Sequence, residues 1–167
     1  MRSAISIANY LYDLSQSEGR TDFSLLKMLK MVYLVHGFTL GNIGASALAD
    51  DEVVEAWHYG PVVPNAYYVF KTLKDKNDII TGKVDPDIFR LDPTDRTELA
   101  IQLTCDIVWN MYKAADAFDL VDLLHRPGSP WTKCYKAGIK NIIPDNLTRQ
   151  YYSYVWQVMT QSKTSNV

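Results

Sequence analysis

Apolar residues recur at helical spacing along most of the chain, and polar or Gly–Pro stretches interrupt them at intervals that predict a mainly α fold. The first segment runs from Ser3, placed as an N-cap, to about Gln16, with Ala4, Ile7, Ala8 and Leu11 on one stripe. After the break at Ser17-Glu18-Gly19-Arg20, a second helix is expected to begin near Thr21 or Asp22. Its stripe holds Leu25, Leu29, Val32, Tyr33, His36 and Leu40, widened by Leu26, Met28 and Leu34. That width predicts the central helix of the core, ended by Gly41 and Gly44.

Residues 52–58 alternate imperfectly between apolar and polar, which predicts a short strand followed by a turn at Tyr59-Gly60-Pro61. Pro64 suits the first position of a helix carrying Ala66, Tyr67, Phe70 and Leu73, because its missing N–H has no partner to lose there. Residues 74–97 are polar, with Asp85-Pro86 and Asp92-Pro93 as breakers. Ile79-Ile80 and residues 88–91 are expected to pair there as a small antiparallel sheet. A further helix is expected to seat Leu103, Ile107, Met111, Ala114 and Phe118 on its core face, and a shorter one covers residues 120–125. Pro144-Asp145 opens the last helix, with Leu147, Tyr151, Tyr154, Val155 and Val158 as its stripe, and a frayed polar tail is expected from Gln161. These elements predict a mainly α single domain over residues 1–160, with about six helices and two to three short antiparallel strands, and a polar tail over 161–167.

Composition narrows the function classes. The 167 residues include 47% hydrophobic and 22% charged side chains, a globular balance with enough length for a real core. The net charge is −2 and the 17 Lys and Arg are scattered, so no basic stripe points to direct nucleic-acid binding. Cys105 and Cys134 show neither a CxxC pair nor zinc spacing, and no stretch reaches a membrane span. With no apolar leader at the N-terminus, the chain reads as cytoplasmic, with both thiols reduced.

The residues able to do chemistry each have a plainer structural role. His36 lies on the apolar stripe of the second helix without a second ligand at i+4, as expected of a core histidine. His125 ends a short helix, where a cation favours the C-terminal dipole. Asp116, Asp119 and Asp122 share one helix face, which is either solvated or a carboxylate cluster for a cation or acid–base work. GxSxG, GxGxxG and the phosphate-loop pattern are absent, so no catalytic residue, metal or cofactor is assigned. The aromatic load of 12%, with 11 tyrosines and 4 tryptophans, suits interface hot spots as well as core filling. In Trp57-His58-Tyr59-Gly60-Pro61-Val62-Val63-Pro64, a strand end, a Gly-Pro turn and a rigid helix start hold aromatics in a fixed loop. Such a loop serves either as a binding edge or as a tight structural corner.

At this segment the chain resembles a known family. Glu55-Ala56-Trp57-His58-Tyr59-Gly60-Pro61-Val62-Val63-Pro64 is similar to the EAWxYGPVxP signature of the SocA-like, or Panacea, antitoxin domain, found also in phage-associated proteins of the GepA type. Leu26-Lys27-Met28-Leu29-Lys30-Met31-Val32-Tyr33 with His36-Gly37 resembles that family's LxKLLYxxxG helix. Leu124-His125 followed by Ser129-Pro130-Trp131 resembles its LTH…SPW element. Phe38 departs from the Trp that many relatives carry after the glycine. The resemblance implies a non-enzymatic, mainly helical antitoxin that binds and neutralises a cognate protein toxin encoded by the adjacent gene. Some members also hand the toxin to a cellular protease, and many occur in prophages. Carried over by position, Trp57, Tyr59, Gly60, Pro61, Pro64, His125 and Trp131, with His58 between them, form the expected partner-binding set. The competing reading is an enzyme or ligand-binding protein using His58, His125 and the Asp116/Asp119/Asp122 face. A phage structural protein ranks below both, and the sequence leaves the oligomeric state open.

Overall fold

A computed structural model describes residues 1–164. It contains seven helices and one three-stranded sheet: α1 (Ala4–Ser17), α2 (Leu25–Ile43), β1 (Glu55–Trp57), β2 (Gly60–Val62), α3 (Pro64–Phe70), α4 (Arg96–Tyr112), α5 (Ala117–Leu124), α6 (Pro130–Cys134), β3 (Asn141–Ile142) and α7 (Asp145–Thr164). The fold is a mainly α single domain, as the apolar periodicity predicts, and no described helix is long and apolar enough to cross a membrane. The tail expected from Gln161 is helical as far as Thr164, and residues 165–167 lie outside the described residues.

α2 is the centre. Leu25 and every residue from position 27 to 40 are buried, and α1, α4, α5, α7 and β2 pack around it. It begins three residues later than the sequence suggests, because residues 22–24 are used elsewhere. Ile80 donates its N–H to the Phe23 carbonyl at 3.0 Å and Leu25 donates to the Asp78 carbonyl at 2.8 Å. Ser24 therefore becomes the N-cap, its hydroxyl accepting from the Lys27 N–H.

Gly44 ends α2 in the left-handed region, φ +71°, but Gly41 lies inside the helix with a different role. A β-carbon on Gly41 would stand 2.5 Å from the Tyr152 carbonyl carbon, and one on Gly37 would stand 2.6 Å from the Tyr152 ring. These two glycines let α7 approach backbone to backbone, and Tyr152 fills the cleft against Phe38 (ring centroids 5.1 Å apart) and Tyr33 (5.9 Å).

The sheet is not where the sequence places it. Its strand order is β2-β1-β3, and β3 comes from residues 141–142. Residues 79 and 80 make only isolated bridges, to Ser24 and Lys74, and residues 88–91 form no strand. That long loop is held instead by Asn9 on α1, whose amide donates to the carbonyls of Val84 (2.8 Å) and Phe89 (2.9 Å) and accepts from the Val84 N–H (3.0 Å).

Two helices present a different face from the one expected. α4 buries Ile101, Thr104, Cys105, Val108 and Trp109, while Leu103, Ile107 and Met111 are exposed. Ala114 and Phe118 are not on this helix at all, because α4 ends at Tyr112 and Asp116 starts α5. On α7, Thr148 and Tyr152 are buried, while Tyr154 and Val158 face outward.

An exposed-helix Gly→Ala change ordinarily stabilises by up to ~1 kcal/mol. Gly41→Ala is expected to do the reverse, destabilising by at least about 2–3 kcal/mol because α7 must move off α2. Urea denaturation of the variant and the parent checks the sign.

Candidate partner-binding site

The β1–β2 hairpin pairs Glu55 with Val62, Ala56 with Pro61 and Trp57 with Gly60, leaving His58 and Tyr59 as a two-residue loop. The turn is thus one residue earlier than Tyr59-Gly60-Pro61 suggests, and Gly60 and Pro61 belong to a strand. Pro61 is tolerated because β2 is an edge strand. Gly60 adopts φ +114°, and a β-carbon there would lie 3.1 Å from Lys30 Nζ and 3.6 Å from His125 Nε2.

Beneath the hairpin, Lys30 of α2 is fully buried and donates from Nζ to the Pro61 carbonyl at 3.1 Å. Burial alone pushes its pKa down to about 7. His125, at the C-cap of α5, is held below the usual histidine range by burial and then by the neighbouring Lys30 charge, with Asp122 opposing. Among the described residues its Nε2 is buried without a hydrogen-bond partner.

The His125 ring lies flat on Trp131 (3.6 Å, 7°), and Trp131 lies flat on Tyr135 (4.4 Å, 15°). Ser129 sets this stack by capping α6 and by donating its hydroxyl to the Leu124 carbonyl. Trp131 Nε1 then donates to the Trp57 carbonyl at 2.7 Å, tying the stack to the hairpin. His58 Nδ1 lies 3.1 Å from the Tyr135 hydroxyl. Trp57 donates to Glu55 at 2.7 Å, meets Tyr67 edge-to-face at 4.9 Å, and carries Lys140 Nζ 4.3 Å over its ring. At the tip, Tyr59 is 54% exposed and faces Phe118 at 6.2 Å.

Of the residues singled out from the sequence, His58 and Tyr59 are displayed. Trp57, Pro64, His125 and Trp131 are half-buried, and Gly60 and Pro61 are buried. All but Pro64 converge on one aromatic ledge; Pro64 starts α3 as expected. The carboxylates of Asp116 and Asp119 form a capping box at the start of α5, so Asp122 is the member of that trio whose charge acts on His125. Among the described residues no group of three His, Cys, Asp or Glu side chains is placed to hold a metal. His36 is a fully buried core histidine, bonded through Nε2 to Asp145 at 3.1 Å.

Lys30, Phe118, Tyr135 and Lys140 were not read from the sequence as parts of this site. Lys30 did leave a signal, being with Lys27 one of two lysines set into the mostly apolar run of the second helix. What the ledge can do is present ring edges and two polar tips in fixed positions. Its flat faces are already covered, by His125 and Tyr135 on Trp131 and by Lys140 on Trp57.

Because the folded Lys30 has a pKa near 7 against an ordinary 10.5, the unfolded chain binds the extra proton between those values, and stability rises with pH across that window. Urea midpoints measured between about pH 7 and about pH 9.5 are expected to climb, and Lys30→Met is expected to flatten the climb. An unchanged slope in the variant would place the effect on another group.

The three motifs that the sequence shares with the Panacea family are thus bonded to one another: the helix lysine to the hairpin proline, and the tryptophan of the third motif to the tryptophan of the second. The profile of the antitoxin SocA-like, Panacea domain matches residues 28–132, which contain all of these contacts. Comparison with curated proteins and with solved structures gives no significant match. With the matched segment covering more than half of its length, the chain belongs to the SocA-like, Panacea-domain antitoxin family.

Proposed function

We propose that the protein is the antitoxin of a toxin–antitoxin pair, and that it neutralises a cognate protein toxin, encoded by the adjacent gene, by direct binding through the aromatic ledge. Family membership supports the antitoxin role and a protein toxin as partner in general. The observation that carries the ledge as contact surface is the hairpin tip. His58 and Tyr59 stand exposed on a framework fixed from below by Lys30 and from the side by the Trp131 stack.

A large aromatic held in one orientation loses little conformational freedom on binding, and Tyr and Trp dominate interface hot spots for that reason. Tyr59 has a free hydroxyl edge and His58 an imidazole, so the tip offers hydrogen bonds as well as apolar area. In this reading Trp57, Gly60, Pro61, Pro64, His125 and Trp131 shape the surface, and His58, Tyr59 and Phe118 touch the toxin.

The test is co-expression with the neighbouring gene, scored by growth and by co-purification. The double variant His58→Ala/Tyr59→Ala is expected to keep its thermal midpoint within about 2 °C, since both side chains are exposed. It is expected to weaken the complex by about 10- to 100-fold. Full toxin binding by the folded double variant would move the interface off the hairpin.

A further inference from the structure

Two basic nitrogens share one covered site beneath β2. Lys30 Nζ reaches it from α2 and His125 Nε2 from the C-cap of α5. Gly60 lies over both, so close that a β-carbon there would stand 3.1 Å from the first and 3.6 Å from the second. Lys30 is 0% exposed, and Nε2 is buried although the imidazole as a whole is half-buried. Among the described residues the Pro61 carbonyl is the acceptor that meets this pair. Lys30 takes it at 3.1 Å, and His125 Nε2 is left without a partner. That same bond is, among the described residues, the one hydrogen bond tying β2 to the helices beneath it. β2 is also an edge strand, held along its other side by β1.

Counting donors shows how little positive charge the site can hold. A neutral imidazole keeps one nitrogen as an acceptor, whereas imidazolium donates from both. Neutral His125 can therefore turn its Nε2 lone pair toward Lys30. Protonated, it would bury an Nε2–H with no acceptor, beside another basic nitrogen. A Lys30 ammonium would likewise hold three donors and a full charge away from water, with one carbonyl to meet them.

The neighbouring ionisable groups give little relief. On α2, Lys27 pairs with Asp22, and Tyr33 lies beside the Thr148 hydroxyl. On the hairpin, Glu55 accepts from Trp57, His58 lies against the Tyr135 hydroxyl, and Tyr59 is exposed. On α5, Asp116 and Asp119 cap the helix start, and Arg126 stands exposed beyond His125. Asp122 is the carboxylate that favours a charged His125, against Lys30 and His58.

We infer that Lys30 and His125 form a proton-operated latch for the β1–β2 hairpin: β2 lies down on α2 and α5 while the two nitrogens are uncharged, and lifts to admit water when they take up protons. Burial holds Lys30 down at about 7 against an ordinary 10.5, and holds His125 below the usual histidine value. In the lifted hairpin both nitrogens meet water and return to their ordinary values. The lifted form thus binds more protons, and its share grows as pH falls, first through Lys30 and then, below 6.5, through His125. The inference concerns the position of the hairpin and holds whether or not its tip binds a toxin.

NMR relaxation dispersion of the full chain, read at the Gly60 amide, tests it, because loop and lid motions fall in the microsecond-to-millisecond range. The lifted-to-docked ratio is expected to rise about tenfold from pH 8 to pH 6 through Lys30 alone. Amides of α1, such as Ala8, are expected to stay free of this exchange. Lys30→Met is expected to abolish the rise between pH 8 and pH 7, and His125→Gln to abolish the further rise below pH 6.5 while leaving the first. The wild-type titration stands if either variant fails to fold. A Gly60 amide free of exchange down to pH 5.5, or a Lys30→Met variant with the wild-type rise, overturns the latch. So does equal exchange at Gly60 and Ala8, which would mean that protons unfold the whole domain.

Discussion

Because α2 is enclosed on every side, the long polar side chains it holds are met by groups that other elements bring in. The rest of the structure is arranged around that constraint. Lys27 donates from Nζ to the Lys113 carbonyl at 2.6 Å and pairs with Asp22 at 3.3 Å, fixing the end of α4 and the entry to α2. Lys30 holds the hairpin through Pro61, and Tyr33 lies 3.4 Å from the Thr148 hydroxyl on α7. His36 binds Asp145 at the first turn of α7, which in turn keeps that carboxyl below its ordinary pKa. Lys27 thus ties α2 to the end of α4, Lys30 to the hairpin, and Tyr33 and His36 together to α7. Replacing such a group with an apolar one of the same size would keep the core full but release one element from its position.

The aromatic ledge follows from this. The buried Lys30 nitrogen under the hairpin demands an acceptor, and the Pro61 carbonyl supplies it only if Gly60 has no side chain to collide with Nζ. The strand then delivers Trp57, whose carbonyl accepts from Trp131, and Trp131 in turn stacks on His125. The motif residues are therefore mostly scaffold for one another. The side chains displayed at the tip and rim are His58, Tyr59 and Phe118, whereas Gly60 and Pro61 between them are buried.

Helix existence was legible in the sequence because 3.6-residue periodicity survives any packing arrangement. Ser3, Pro64 and Asp145 mark helix starts by local chemistry alone, and the structure keeps all three. What periodicity does not carry is which of two apolar faces turns inward. α4 offers Leu103/Ile107/Met111 and Ile101/Cys105/Val108, and it is the second, with Trp109 against Phe23 (5.8 Å), that packs on α1 and α2. Gly41 reads as a terminator because nothing local shows that Tyr152, more than a hundred residues away, comes to its α-carbon. Likewise β3 is two residues long and exists only because β1 is there to pair with it. The ledge was half legible: its hairpin and tryptophans carry local signals, whereas Tyr135 and Lys140 enter it through tertiary placement.

The same rotation argument bears on the exposed apolar surface. Side chains turn about 100° per residue on a helix, so once Tyr152 is committed to the cleft over Gly37 and Gly41, Tyr154 must point roughly 200° away. Once Cys105 is committed to the core, Leu103 and Ile107 must point outward by the same amount. The packing that fixes α4 and α7 therefore dictates that these positions are exposed, but it places no demand on what occupies them. Polar residues there would fold equally well and dissolve better. Leu103, Ile107, Met111, Tyr154 and Val158 fill them with apolar side chains, which a folded surface tolerates at little cost.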